Sequence, residues 1–394
     1  MQKSWLPPGG KNLFQEIKAK RAEAESRGIE IVNMSIGQPQ GPALQAARIG
    51  AAQAVLSHEE AMHEYQDNGT PGIPDFAERF VRAHGELSPA YPYEFLPIPG
   101  IKPMLGLVIM ACDSTNNSDL AVATTTNPGY PTPKTWCDYL GVKNYELPTN
   151  AENGFLFSVE DIPEDVDLLH INYPHNPSGA IATKAFWENL CGYCAEKGIR
   201  IFNDAAYSLL AYTTEVCLLS SVAPAYSKLS WAEAFSASKV IGNGTGWRIG
   251  AIAGSPDFVG DIATVKGNTD SGPFAPAPCG VMYCLDYDRE SVEEVAERYY
   301  QRAMDLMETL WDCGMEEAVY PGAGFFTLWK APTRAFGQKI GSGEEFNYLM
   351  IEKTGVMGVH FGPYIRYAVV GPTEEKETRE KIASAFVRAG VSYD

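Results

Sequence analysis

Basic residues are scarce in this chain. Lysine and arginine number 31 against 49 aspartates and glutamates, a formal net charge of −18 with a pI near 4.8. Nucleic acids and anionic membrane surfaces both demand a basic footprint, so neither is an expected partner. Unbroken apolar runs are lacking too. The apolar stretch from Phe95 to Cys112 is interrupted by Pro97, Pro99, Lys102 and Pro103, which excludes a membrane span there. The opening segment, M-Q-K-S-W-L-P-P-G-G-K, contains no apolar core of the kind a secretory leader needs. A soluble, cytoplasmic protein is the expectation. Cysteine is thin: eight residues scattered over 394 fall short of a disulfide framework and suit a reducing compartment. Cys191 and Cys194 form a C-x-x-C, but within A-F-W-E-N-L-C-G-Y-C-A-E-K-G the apolar residues recur at helical spacing. No second such pair or histidine pair accompanies them, so core packing is expected rather than redox or metal chemistry.

What is present is the make-up of an ordinary globular enzyme, 45% hydrophobic and 20% charged. Its length exceeds one typical core, so two domains are expected. Between Glu94 and Gly254, short β-rich runs at 120–124, 166–172, 199–203, 232–237 and 249–254 alternate with helical stretches. Such alternation predicts βαβ units and an α/β fold with a mostly parallel sheet covered by helices. From about Glu290 a long charged helix begins, followed by strand-like pieces at 325–330 and 364–370 and a terminal helix near 374–389. That pattern predicts a smaller α+β unit.

The most informative segment is F-S-A-S-K-V-I-G-N-G-T-G-W-R-I-G, from Phe235 to Gly250. A phosphorylated aldehyde cofactor needs an amine to hold its carbonyl carbon as a Schiff base. It also needs hydroxyls, bare N–H groups and a guanidinium around its phosphate. Lys239, Ser236, Ser238 and Arg248 supply those groups. Upstream, I-F-N-D-A-A-Y ends an apolar run abruptly at Asp204, with Tyr207 three residues on. A strand's C-terminal end is the usual ligand face of an α/β sheet. In I-N-Y-P-H-N-P-S-G-A, two prolines and a glycine build a turn that projects Asn176. Taken singly, Asp204 also reads as a helix N-cap and Asn176 as an ordinary turn residue.

Further segments accompany these: I-V-N-M-S-I-G-Q-P at 31–39, E-Y-Q-D-N-G at 64–69, P-G-I-K at 99–102, N-P-G-Y-P at 127–131, G-A-G-F-F-T-L-W at 322–329 and Y-I-R-Y at 364–367. In this order and spacing the chain closely resembles the fold-type I, class I/II aminotransferases that use pyridoxal 5′-phosphate (PLP). Its region 265–274 is similar to the branch with LL-diaminopimelate- and alanine-type enzymes. The resemblance implies a large PLP-binding α/β domain over 45–285 and a small α+β domain from 1–44 and 286–394. It implies that Lys239 carries the cofactor and acts as base, that Asp204 faces the ring nitrogen, and that Tyr207 and Asn176 bond the 3-oxygen. Tyr130 would stack on the ring. Ser236, Ser238, Arg248 and the turn Gly100, Ile101, Lys102 would grip the phosphate, Ile101 through its backbone alone. Tyr65 would reach the neighbouring subunit's phosphate, making a homodimer with shared active sites. Arg366 and Gly37 would receive the α-carboxylate of the amino acid or 2-oxo acid substrate. Trp247 is expected to pack.

Three departures from the family pattern stand out. The loop from Lys239 to Arg248 is one residue longer, the stretch before Arg366 is shorter and places His360 and Phe361 near the substrate entrance, and His175 in P-H-N-P-S-G reads as a spectator. Lys266 and Asn268 read either as contacts to a distal polar group of the substrate or as interface and turn residues. The leading function is amino-group exchange between an amino acid and a 2-oxo acid. A C–S β-lyase of the same fold would keep every cofactor residue. A ligand-sensing module needs a basic DNA-binding domain ahead of the fold, where this chain starts with the small-domain segment.

Overall fold

The computed structural model describes residues 13–113 and 119–394, the side chains of 13 and 14 excepted. Residues 1–12 of the expected small domain, and with them the opening segment, lie outside the described residues. Seven strands build the larger sheet: β1 (Glu94–Ile98), β2 (Ala121–Thr124), β3 (Lys143–Glu146), β4 (Leu168–Ile171), β5 (Arg200–Asp204), β6 (Trp231–Ser236) and β7 (Gly250–Gly254). Their spatial order is β1-β7-β6-β5-β4-β2-β3. Successive residues of a strand face opposite sides. Leu168 and Phe202 therefore pack with the helices Ile101–Met110 and Pro256–Lys266, while Leu169 and Ile201 join Trp187 and Leu190 of the helix Lys184–Lys197.

The sheet is mixed rather than uniformly parallel. β2 to β6 pair in parallel, but β7 runs antiparallel to both β6 and β1. Parallel strands need a helix-length crossover, and the connection 237–249 holds only short turns and a 3₁₀ turn at Thr245–Trp247. The loop that carries Lys239 to Arg248 thus reverses the chain. The two edge strands gave no usable signal in sequence. K-N-Y-E of β3 is polar on an edge, and E-F-L-P-I of β1 contains Pro97, which only an edge strand tolerates.

A second, antiparallel sheet follows: β8 (Glu317–Val319), β9 (Phe326–Lys330), β10 (Val359–Phe361) and β11 (Tyr364–Ala368), ordered β10-β11-β9-β8. The helix Arg289–Asp312 buries Val292, Val295, Tyr299, Ala303, Leu306 and Leu310, an apolar stripe at helical spacing, and most of it enters this sheet's core. The terminal helix Lys376–Ala389 adds Ile382 and Phe386 to the same core. Near the start of the chain, Val32–Asn33 pairs in parallel with Val356–Met357, so early and late segments share one unit.

Candidate active site

Thr125, Asn172, Asp204 and Ser236 stand at or just beyond the C-terminal ends of β2, β4, β5 and β6. Backbone pairing stops there and side chains become available to a ligand. Asp204 Oδ1 accepts the Ala206 N–H at 3.0 Å. Burial pushes its carboxyl up to about 6, against the pull of the Lys239 ammonium. Asn172 ties the strand end to the neighbouring turn. Its Nδ2 donates to the Asp204 carbonyl at 2.7 Å, and its Oδ1 accepts the Asn176 N–H at 2.9 Å. Tyr130, Thr125, Asn172 and Asp204 line one cavity.

Lys239 Nζ lies 5.1 Å from the centre of the Tyr207 ring. Burial lowers its pKa most, Asp204 opposes that, and Arg248 lowers it further. An amine made easier to deprotonate is what a carbonyl-binding lysine requires. Tyr207 is wedged against Phe325 and Phe326, each 5.6 Å away ring to ring. Burial raises its hydroxyl pKa, with Arg366 opposing.

The anion-binding groups converge beside the helix Ile101–Met110. Gly100, just before it, has φ +76°, and a Cβ there would lie 2.6 Å from Arg248 Nη2. Glycine alone lets the guanidinium lie against the helix start. Arg248 is held by the carbonyls of Pro99 and Thr245, at 3.1 and 3.0 Å. Ser236 and Ser238 are buried close by in the same chain turn, the Ser238 N–H donating to Ser236 Oγ at 3.2 Å. Lys102 is exposed, its Nζ 6.0 Å from the Tyr130 ring centre. Two hydroxyls, a guanidinium and a helix N-terminus make a receptor for a phosphate-like anion.

Arg366 on β11 is buried. Its Nη1 donates to Asn176 Oδ1 at 2.9 Å and its Nη2 to the Ser35 carbonyl at 3.0 Å, leaving Nε without a partner among the described residues. The guanidinium lies 4.2 Å over the Phe326 ring and 5.6 Å from that of Phe361. Burial lowers its pKa to about 10, so it stays charged at neutral pH. A Cβ on Gly37 would sit 3.8 Å from Nη2.

Other candidates are placed elsewhere. Tyr65 is 80% exposed on the surface, apart from the cluster. Lys266 is fully buried and its Nζ donates to Asp270 at 2.7 Å and Asn68 at 3.1 Å, contacts that suit the interface or turn alternative. Asn268 donates to the Thr264 carbonyl at 2.9 Å, closing the end of its helix. The His360 ring packs on Tyr348 at 5.4 Å, so of the pair expected at the entrance only Phe361 meets Arg366. His175 bonds Ser178 Oγ at 2.7 Å inside its own turn. Cys191 and Cys194 are buried in the core, with burial pushing the Cys194 thiol up to about 12. Sequence reading missed Asn172 and Phe326. Asn172 had a signal, a polar residue closing the apolar run L-L-H-I; Phe326 had none, being one apolar residue among several.

The profile of the family "Aminotransferase class I and II" matches residues 29–378. The chain belongs to the class I and II aminotransferases. Its cofactor is therefore pyridoxal 5′-phosphate. This aminotransferase is 31% identical over 396 aligned positions to LL-diaminopimelate aminotransferase of Methanocaldococcus jannaschii, covering 95% of the chain and 91% of the relative. Its fold is that of substrate-bound BacF from Bacillus subtilis, with a TM-score of 0.83 at 20% identity over 98% and 97% of the two chains. Aspartate aminotransferase of Thermus thermophilus, a single mutant, superposes with a TM-score of 0.82 at 22% identity, over 98% and 100%. The aminotransferase's site suits the cofactor: the cradle at Gly100 has no room for a Cβ, and its donor set is that of a phosphate receptor. No helix among the described residues is long and apolar enough to cross a membrane.

Proposed function

We propose that this aminotransferase exchanges amino groups between an amino acid and a 2-oxo acid with Lys239 as its central residue. The observation that carries the reading is the buried Lys239 amine 5.1 Å from the centre of the Tyr207 ring, within the electrostatic reach of Asp204 and Arg248. When bound, PLP supplies a conjugated ring that takes up the electron pair left at the substrate Cα. Ser236, Ser238, Arg248 and the N–H groups of Gly100, Ile101 and Lys102 would hold its phosphate. Asp204 would hold its ring nitrogen, Asn176 and Tyr207 its 3-oxygen, and Tyr130 its ring face. The Lys239 amine takes the proton from the substrate Cα as a general base. Arg366 receives the α-carboxylate, with Gly37 giving it room. Because every substrate of the cycle presents that group, one arginine serves both halves.

We assign residues 45–285 to the cofactor domain and 1–44 with 286–394 to the smaller one. The enzyme works as a homodimer with shared sites. Tyr65 and Phe274, 80% and 68% exposed, stand on two loops joined where the Gln66 and Asp67 N–H groups meet the Ser271 carbonyl. Such an exposed aromatic pair suits burial against a second copy. The free cysteines suit the cytoplasm. The test is a half-reaction panel: mix the PLP-loaded protein with single amino acids, LL-diaminopimelate, alanine and aspartate among them. Loss of the cofactor's visible absorbance together with the matching 2-oxo acid supports the reading. Pyruvate with free ammonia would replace it by β-elimination.

A further inference from the structure

Asn203 precedes Asp204 at the end of β5, and Glu233 lies beside it on β6; both are wholly buried. The β4 to β5 backbone ladder ends with Ile171 opposite Asn203. From there the Asn203 side chain takes over. Its Oδ1 accepts the Tyr173 N–H at 2.8 Å and its Nδ2 donates to the Tyr173 carbonyl at 2.9 Å, as a backbone neighbour would. The same Nδ2 donates to Glu233 Oε1 at 2.8 Å. Tyr173 opens the turn that presents Asn176 to Arg366.

Glu233 receives two more donors, the N–H groups of Leu219 at 3.1 Å and Ser220 at 2.8 Å. Three N–H groups therefore converge on one carboxylate. Burial pushes the Glu233 carboxyl up while these donors pull it back; as a carboxylate it only accepts, so it favours the same end of the Asn203 amide that Tyr173 selects. Turning that amide over would set donor against donor at Tyr173 and acceptor against acceptor at both Glu233 and the Tyr173 carbonyl. A glutamine at 233 would bring its own N–H₂ into a set of donors. A buried charge is costly and rarely the most stable filling of a core. What this one supplies is a single orientation.

We infer that Glu233, acting through Asn203, is a positioning residue for the reaction: the pair holds Tyr173, and through it the Asn176 oxygen that meets the substrate-binding Arg366. This rests on the reading of Arg366 and Asn176 above. Asn203→Asp sets a carboxylate against both Glu233 and the Tyr173 carbonyl, and Glu233→Gln keeps one oxygen for the Asn203 amide but sets its own N–H₂ against the Ser220 N–H. The double variant Asn203→Asp/Glu233→Gln restores a donor facing an acceptor across the pair but leaves the Tyr173 carbonyl without its donor. Two readouts are compared in the full-length protein: hydrogen exchange at the Tyr173 amide without cofactor, and KM against kcat in the PLP-loaded enzyme.

Each single variant should speed Tyr173 exchange about tenfold and raise KM for both amino acid and oxo acid about tenfold, with kcat changed less than about threefold. The double variant should be no worse than Asn203→Asp alone, because Glu233 acts through Asn203. Wild-type exchange and KM in the single variants overturn the inference. So does a loss of thermal stability with KM unmoved, or a double variant whose losses multiply those of the two singles. Should Asn203→Asp not fold, Glu233→Gln is judged alone by the same two measurements. If the wild-type protein transaminates nothing, the functional reading falls, while the cofactor-free exchange still decides whether the pair holds the turn.

Discussion

Arg366 Nη1 donates to Asn176 Oδ1 at 2.9 Å, joining a strand of the small sheet to a turn of the large one. Two residues earlier on the same strand, the Tyr364 hydroxyl accepts the Ala151 N–H at 3.0 Å and its ring meets Phe155 at 5.4 Å. The strand that carries Arg366, the proposed carboxylate receptor, is therefore registered against the large-sheet unit at two points. Because such registration sets the distance between reacting atoms, errors of an ångström there cost rate.

Lys239→Ala should abolish turnover while PLP still binds without a covalent link, since the Arg248 cradle and the Tyr207 and Asp204 contacts survive. Borohydride reduction of wild type should fix the cofactor on Lys239, read by peptide mapping. A label on another lysine removes Lys239 from its role.

Asp204→Ala should cost far more in rate than in folding. The wild-type apo-protein carries a pH signature as well. The folded carboxyl titrates near 6 against an ordinary 3.8, so between those values the folded state binds more protons than the unfolded one. Stability should fall as pH rises through that window, on the order of 1 kcal/mol or more. Asp204→Asn should flatten that slope in apo-protein melts; an unchanged slope assigns it to other groups.

Mixing two inactive variants, Tyr65→Phe or Ala on one subunit and Lys239→Ala on the other, should restore activity to one site per heterodimer once subunits exchange. Sedimentation should show a dimer. An active monomer ends the shared-site reading.

Arg366→Lys keeps a charge but loses the planar fork, so kcat/KM should fall about thirtyfold, roughly 2 kcal/mol, alike for amino acid and oxo acid. Steady-state kinetics with both partners checks this. A loss confined to substrates with a distal carboxylate would reverse the substrate's orientation in the site.

Lys266→Met should destabilise the protein by about 1 kcal/mol, because Asp270, only partly buried, loses its ammonium partner but keeps the Gly272 N–H, while Asn68 is exposed to water. Discrimination between aspartate and alanine should stay as in wild type. A shift in that preference would return Lys266 to reading the substrate.

Much of the candidate site was legible in the sequence because its signals are local. Lys239 just after two serines, Asp204 closing an apolar run and Asn176 between prolines each carry their chemistry in a few adjacent residues, and their order names the family. The long amphipathic helix at 289–312 was legible for the same reason, its buried stripe recurring every three or four residues. Strand direction was not, because periodicity is the same read either way: β7 turned antiparallel only because the connection 237–249 has no crossover helix. K-N-Y-E of β3 gave no alternation because an edge strand has one free flank to solvate. Lys266 differed most. By sequence a lysine near the expected substrate region could face either way, and only tertiary structure set Asp270 and Asn68 around its amine. A residue's chemistry travels with its identity, but which partner satisfies it is decided by segments far apart in the chain, through the cost of leaving any buried charge unpaired.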